Sequence, residues 1–115
     1  MEIKTQDYQI WYTEETSTIT CQGRLRLAGL EEYQPIIQFL DDILGSHPPL
    51  LILDLAGLEF LNSSGINVFL KFVLKVRQQK TTQLTVLGSS NVPWQGKSLK
   101  NFQRLMPELK LEFKQ

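Results

Sequence analysis

Residues 50–76 read LLILDLAGLEFLNSSGINVFLKFVLKV, and the change of pattern inside this stretch decides the fold. Leu50–Leu55 is an apolar run without alternation, as in a strand that is covered on both faces or central in a sheet. A compact turn follows at Asn62, Ser63, Ser64 and Gly65, and from Ser63 onward the apolar residues recur at helical spacing. On a wheel of about 100° per residue, Ile66, Phe69, Val73 and Val76 face a core, while Ser64, Asn67, Lys71, Lys75 and Gln78 form a narrow polar stripe opposite them. Val68 and Leu74 flank that stripe. They are either exposed apolar side chains of a partner surface or part of a helix that its neighbours bury widely.

A strand that delivers the chain into a helix start creates a particular electrostatic environment. The first backbone N–H groups of a helix have no intrahelical acceptor and carry a partial positive charge. Asn62 or Ser63 suits the N-cap, and an anion such as a phosphoryl group is stabilised there. Asn-Ser-Ser-Gly is equally the composition of an ordinary loop and cap, so the four residues do not settle a function by themselves.

Upstream, Asp7–Thr13 and Ser17–Gly23 are rich in β-branched and aromatic residues around Glu14, Glu15 and Thr16, which reads as a β-hairpin. From Leu30 or Glu31 to about Leu44 the period changes: Tyr33, Ile36, Ile37, Leu40 and Leu44 fall on one helical stripe. Pro35 suits a first turn, which places the regular helix start near Tyr33 or Gln34, and Gly45 with Pro48 and Pro49 ends it. Downstream, Thr82–Leu87 is a strand, Gly88–Trp94 a loop, Ser98 or Leu99 to Met106 a short helix, and Leu109–Phe113 a last strand. The order β-β-α-β-α-β-α-β predicts an α/β fold with a single mixed sheet, parallel through its later strands and packed against helices.

The 115 residues suffice for one domain, 1–115, and the 42% hydrophobic and 21% charged content is that of a globular chain. The amino terminus lacks a basic region followed by an apolar one, and Asp54 interrupts the best apolar run. The expectation is a cytoplasmic protein without membrane insertion. The zero net charge conceals an asymmetry, because from Ser63 to Arg104 there are seven basic residues and no acidic one. That bias suits an acidic partner or an anion, whereas nucleic-acid binding brings a basic total and interleaved aromatics. Cys21 is the sole cysteine and His47 the sole histidine. No metal-ligand spacing, Gly-rich phosphate loop or base near the serines is present, and Leu61 stands where a nucleophile elbow has its first glycine. The expectation is no enzyme, no cofactor and no metal.

The stretch LILDLAGLEFLNSSGINVFLKF resembles the signature of the STAS domain, found in bacterial anti-sigma factor antagonists and in cytoplasmic tails of sulphate transporters. That signature is an apolar strand ending in an aspartate, a spacer with an aromatic, then Asp-Ser-Ser-Gly opening a helix. The resemblance implies a STAS-like fold over nearly the whole chain. It also implies a regulatory module that binds an anti-sigma factor with serine kinase activity, is phosphorylated on the serine after the motif's aspartate, and is reset by a phosphatase. The matching residue is Ser63, with Ser64 next to it. The partner surface expected from this reading comprises Asn62, Ser63, Ser64, Gly65, Asn67, Val68 and Lys71, together with Arg24 and Arg26. Asn62 stands in place of the motif's aspartate, and Arg26 in place of the acid that follows the family's Gly-x-Leu turn. The alternatives are a STAS scaffold or transporter accessory that acts without phosphorylation, and a module that binds a small anion or nucleotide.

Overall fold

The structure, a computed structural model, describes residues 1–114. Its strands are β1 (Glu2–Lys4), β2 (Tyr8–Thr13), β3 (Thr18–Leu25), β4 (Leu50–Leu61), β5 (Gln83–Ser89) and β6 (Lys110–Lys114), and its α-helices are α1 (Gly29–Gly45), α2 (Ser63–Gln79) and α3 (Pro93–Leu105). One mixed sheet has the order β1-β2-β3-β4-β5-β6. It is antiparallel across β1, β2 and β3 and parallel from β3 to β6. Each parallel strand is reached by a helical crossover that steps in the same direction, so the right-handed rule puts all three helices on one face. The cross-strand row Tyr12, Ile19, Leu53, Val86 and Leu111 lies on that face. The adjacent row of Trp11, Thr20, Asp54, Leu87 and Glu112 lies on the open one.

This one-sided cover decides between the two readings of β4. Leu51, Leu53 and Leu55 are fully buried, but Leu50 is 44% exposed and Ile52 and Asp54 are half-buried. The strand is central, and its open-face side chains are shielded by lateral neighbours, without a second layer of helices. β4 also runs on to Leu61, because two register shifts against β3 let it carry extra residues while Leu58 and Leu61 still point inward. The Asp54 carboxylate accepts from the Ala56 amide at 3.0 Å, which supports the first irregularity, and it also pairs with Lys114 at 3.3 Å.

The hairpin of β2 and β3 is as read, joined by a short 3-10 turn at Glu14–Thr16. The edge strand β1 is an addition, since three residues carry too little pattern to be read from sequence. α1 begins at Gly29, a turn earlier than Pro35 suggests. The Glu32 side chain accepts from the Ala28 amide at 3.1 Å and secures that extra turn, so Pro35 lies inside the helix.

α3 also begins earlier than its sequence suggests, at Pro93, where a proline's missing N–H is one the helix would leave unpaired anyway. The segment read as a loop therefore supplies a latch. The Gln95 side chain is fully buried and donates to the carbonyls of Leu55 (2.7 Å) and Leu58 (3.0 Å) while accepting from the Ser89 amide at 2.6 Å. The Trp94 indole donates to the Leu58 carbonyl at 2.9 Å. β5 pairs with β4 only from Leu50 to Asp54, and these two side chains supply the partners that the β4 extension lacks on that edge. The Cys21 thiol is buried in the core, and burial, reinforced by the charge of Asp54, keeps it protonated.

Gln95→Leu removes three buried hydrogen bonds at nearly constant volume. It is expected to cost about 2–3 kcal/mol, read as a lower midpoint in urea unfolding with an unchanged slope. Wild-type Cys21 is expected to react with a thiol reagent only at the rate of global unfolding.

Candidate functional site

At the end of β4 the chain turns into α2 through Asn62, which has extended backbone angles (φ −79°, ψ 175°) and acts as N-cap. Its side chain makes three hydrogen bonds. Oδ1 accepts from the Gly65 amide at 2.9 Å and from the Tyr33 hydroxyl at 2.7 Å, and Nδ2 donates to the Leu27 carbonyl at 2.8 Å. The amide orientation is dictated by chemistry, since a backbone N–H can only donate and a carbonyl can only accept. An aspartate here would turn one carboxylate oxygen toward the Leu27 carbonyl with no proton between them. The Asn in place of the motif's acid is thus a structural requirement of this chain's β3–α1 connection.

Tyr33 reaches Asn62 from α1 as a fully buried side chain, and burial pushes its phenol above the ordinary tyrosine value. Gly65 makes room for it. A Cβ at Gly65 would lie 2.5 Å from the Tyr33 hydroxyl and would also collide with Leu61. The glycine of Asn-Ser-Ser-Gly is therefore needed for close approach between α1 and α2.

With Asn62 committed to the framework, Ser63 and Ser64 occupy the first two positions of α2. Ser63 is exposed and Ser64 half-buried. Their amides have no intrahelical acceptors, whereas the Gly65 and Ile66 amides are taken by Asn62. Two sequence-distant arginines arrive at the same end of the sheet. Leu25 and Leu27, on either side of Arg26, both give their carbonyls to Asn62, at 3.1 and 2.8 Å. Arg26 stacks 5.8 Å from the centre of the exposed Phe60 ring, and Arg24 pairs with Glu59 at 3.6 Å. Asn67 and Lys71 continue the exposed side of α2.

For Val68 the second of the two sequence readings, burial by neighbours, holds, and its expected place on the partner surface is corrected. It is 3% exposed and lines, with Ile37, Leu40 and Phe72, a narrow cleft of about 30 Å³ between α1 and α2. The Lys75–Asp41 ion pair, at 2.9 Å, spans the same helix pair. Val68 flanks the polar stripe on the side where α1 packs, which excludes it from a partner surface. Leu74, on the other flank, is 38% exposed. Among the described residues no cluster of His, Cys, Asp or Glu is arranged to hold a metal ion. The contributions of Tyr33 and Leu27 were not readable beforehand, because both lie about 30 residues away in sequence and carry no motif of their own.

Asn62→Asp is expected to destabilise the fold by about 1–2 kcal/mol at neutral pH, and Gly65→Ala by about 1–3 kcal/mol, both measured by urea unfolding. Because folding raises the Tyr33 pKa, that group's contribution to stability is complete below the unfolded value of 10.0 and is lost as pH rises through the folded one. Tyr33→Phe should accordingly flatten the alkaline limb of the stability curve.

No protein-family model matches the sequence, and no curated protein matches it. Solved structures do match. An anti-sigma factor antagonist from Mycobacterium paratuberculosis is 18% identical, covering 94% of this chain and 90% of that one with a TM-score of 0.69. SiaC of Pseudomonas aeruginosa is 17% identical, covering 97% and 93% with a TM-score of 0.67. A chain in the crystal structure of the diguanylate cyclase SiaD with its activator SiaC, from the same organism, is 16% identical, covering 99% of both with a TM-score of 0.72. At these identities the likeness is one of fold, and the α/β architecture described above is STAS-like throughout its length.

Proposed function

We propose that this chain is a regulatory protein-binding module, without catalytic activity of its own, whose partner docks around the amino-terminal end of α2 and is released when Ser63 is phosphorylated. The observation that carries this reading is the exposure of Ser63 at the first position of a helix whose cap, Asn62, is fixed by three hydrogen bonds. A phosphoryl group there adds about −1.5 to −2 charges at neutral pH. The unpaired amides and the helix dipole stabilise it by about 0.3–1 kcal/mol. The modification thus leaves the fold intact and changes the charge of the surface a partner meets. The structural neighbours, an anti-sigma factor antagonist and the activator SiaC, support a binding role.

On this reading the partner is an anti-sigma factor with serine kinase activity, and a phosphatase resets the module. A second reading rests on the full-length likeness to the chain in the SiaD–SiaC complex: the partner is an enzyme that the module activates. Both use the same surface. Among the described residues no helix is long and apolar enough to cross a membrane.

Phosphopeptide mass spectrometry of the chain isolated from its host is expected to place a phosphoryl group on Ser63. In pull-downs, Ser63→Ala should retain the partner, and Ser63→Asp should weaken it by about tenfold or more. Unmodified Ser63 together with undiminished binding by Ser63→Asp refutes the switch.

A further inference from the structure

The helical layer is strongly polarised in charge. α1 carries Glu31, Glu32, Asp41 and Asp42 and no basic residue, whereas residues 63–105, which include α2 and α3, carry seven basic residues and no acidic one. Three of the seven are used within the molecule: Lys75 grips Asp41 at 2.9 and 3.0 Å, Arg77 donates to the Leu105 carbonyl at 2.8 Å, and Arg104 donates to Asn101 Oδ1 of its own helix at 3.4 Å. Lys71 on α2 and Lys97 and Arg104 on α3 are exposed, and among the described residues none of them has a carboxylate within ion-pair distance.

An apolar ridge runs along the same side of α2. Ile66, Leu70 and Leu74 follow one another at intervals of four residues, the first two half-buried and the last 38% exposed. At about 100° per residue, Leu70, Ser63, Leu74 and Asn67 fall within about 60° of one another around α2. Lys71 lies on the α1 side of this strip. α3, which bears Lys97 and Arg104, packs on the other side of α2. Ile66 and Leu70 rest partly on the core while Leu74 stands out of it, and a basic face that only solvates a helix has no use for such a ridge in register with it; an aliphatic ridge at that interval is the complement of a helical apolar stripe.

We propose that the outer α2–α3 face binds an acidic amphipathic helix of a partner protein. Its apolar stripe lies on Ile66, Leu70 and Leu74, and its carboxylates meet Lys71 on one side and Lys97 and Arg104 on the other. The inference rests on the reading that a partner docks beside the amino-terminal end of α2, and it gives the proposed switch at Ser63 its force. Ser63 heads the same strip, so a phosphate there stands against the partner's carboxylates, and like-charge repulsion acts within the roughly 8 Å over which charges interact at physiological salt.

The test uses the ¹⁵N-labelled full chain and a synthetic helical peptide of about 20 residues with leucines on one stripe and glutamates elsewhere. A matched peptide with lysine for glutamate, and anionic phosphatidylglycerol vesicles, serve as comparisons. The expected result is binding of the glutamate peptide with amide shifts at Leu70, Lys71 and Leu74, and loss of about tenfold or more in affinity between low and high salt. A similar loss is expected in the combined variant Lys71→Glu, Lys97→Glu, Arg104→Glu. Equal binding of both peptides, shifts confined to the sheet, unimpaired binding by the charge-reversed variant, or preference for vesicles overturns the inference. If the glutamate peptide binds this face and Ser63→Asp leaves its affinity unchanged, the acidic-partner inference stands and the switch reading falls.

Discussion

The side-chain amide of Asn62 is the joint on which the amino-terminal end of α2 depends. Through three hydrogen bonds it fastens the start of α2 to the Tyr33 hydroxyl of α1 and to the Leu27 carbonyl of the β3–α1 connection. Each bond has a donor and an acceptor that cannot exchange roles, except at the tyrosine hydroxyl, so the joint has one geometry. The buried phenol and the absent Cβ at Gly65 let the two helices close around it. Removing any one of these groups leaves a buried or half-buried polar atom without its partner, which costs more than the bond itself contributes.

The functional consequence is a division of labour between neighbouring residues. Asn62 is spent on structure, and Ser63, one residue later, is turned outward with its amide unpaired. A charge added to Ser63 would lie at the surface, against the unpaired amides of the helix start. The same economy applies to the basic residues. Lys75 and Arg77 tie α2 to its neighbours, whereas Lys71, Lys97 and Arg104 are exposed with no carboxylate at ion-pair distance among the described residues. The arginines expected beside the site reach it through the backbone of Leu25 and Leu27, while their side chains engage Glu59 and Phe60.

Much of the fold was legible in the sequence, since long periodic segments report their own burial: the α2 core side and the order of strands and helices follow from spacing alone. Besides the edge strand β1 and the first turn of α1, three features were not legible. The one-sided cover of β4 depends on every crossover stepping in the same direction, a property of the whole chain that LLILDL does not carry. The early start of α3 was masked by Pro93 and Gly96, which read as loop residues until Gln95 is seen to be buried among carbonyls. Val68 was ambiguous because a helix wheel shows which residues flank a stripe and gives no neighbour on either side. At the site, Asn62 and the serines announced themselves by motif, but the reason for an asparagine lies with Leu27 and Tyr33, which no local pattern connects to it.

Amide hydrogen exchange at Gly65 reports most directly on the Asn62 joint, because that N–H is the first amide of α2 to have an acceptor, the Asn62 side chain. The account predicts that Gly65 exchanges about as slowly as core amides of α2 such as Val73, both before and after phosphorylation of Ser63, and that Asn62→Ala releases it. Exchange of Gly65 at the rate of an exposed loop in the unaltered protein would contradict it, because Ser63 would then stand on a frayed helix end.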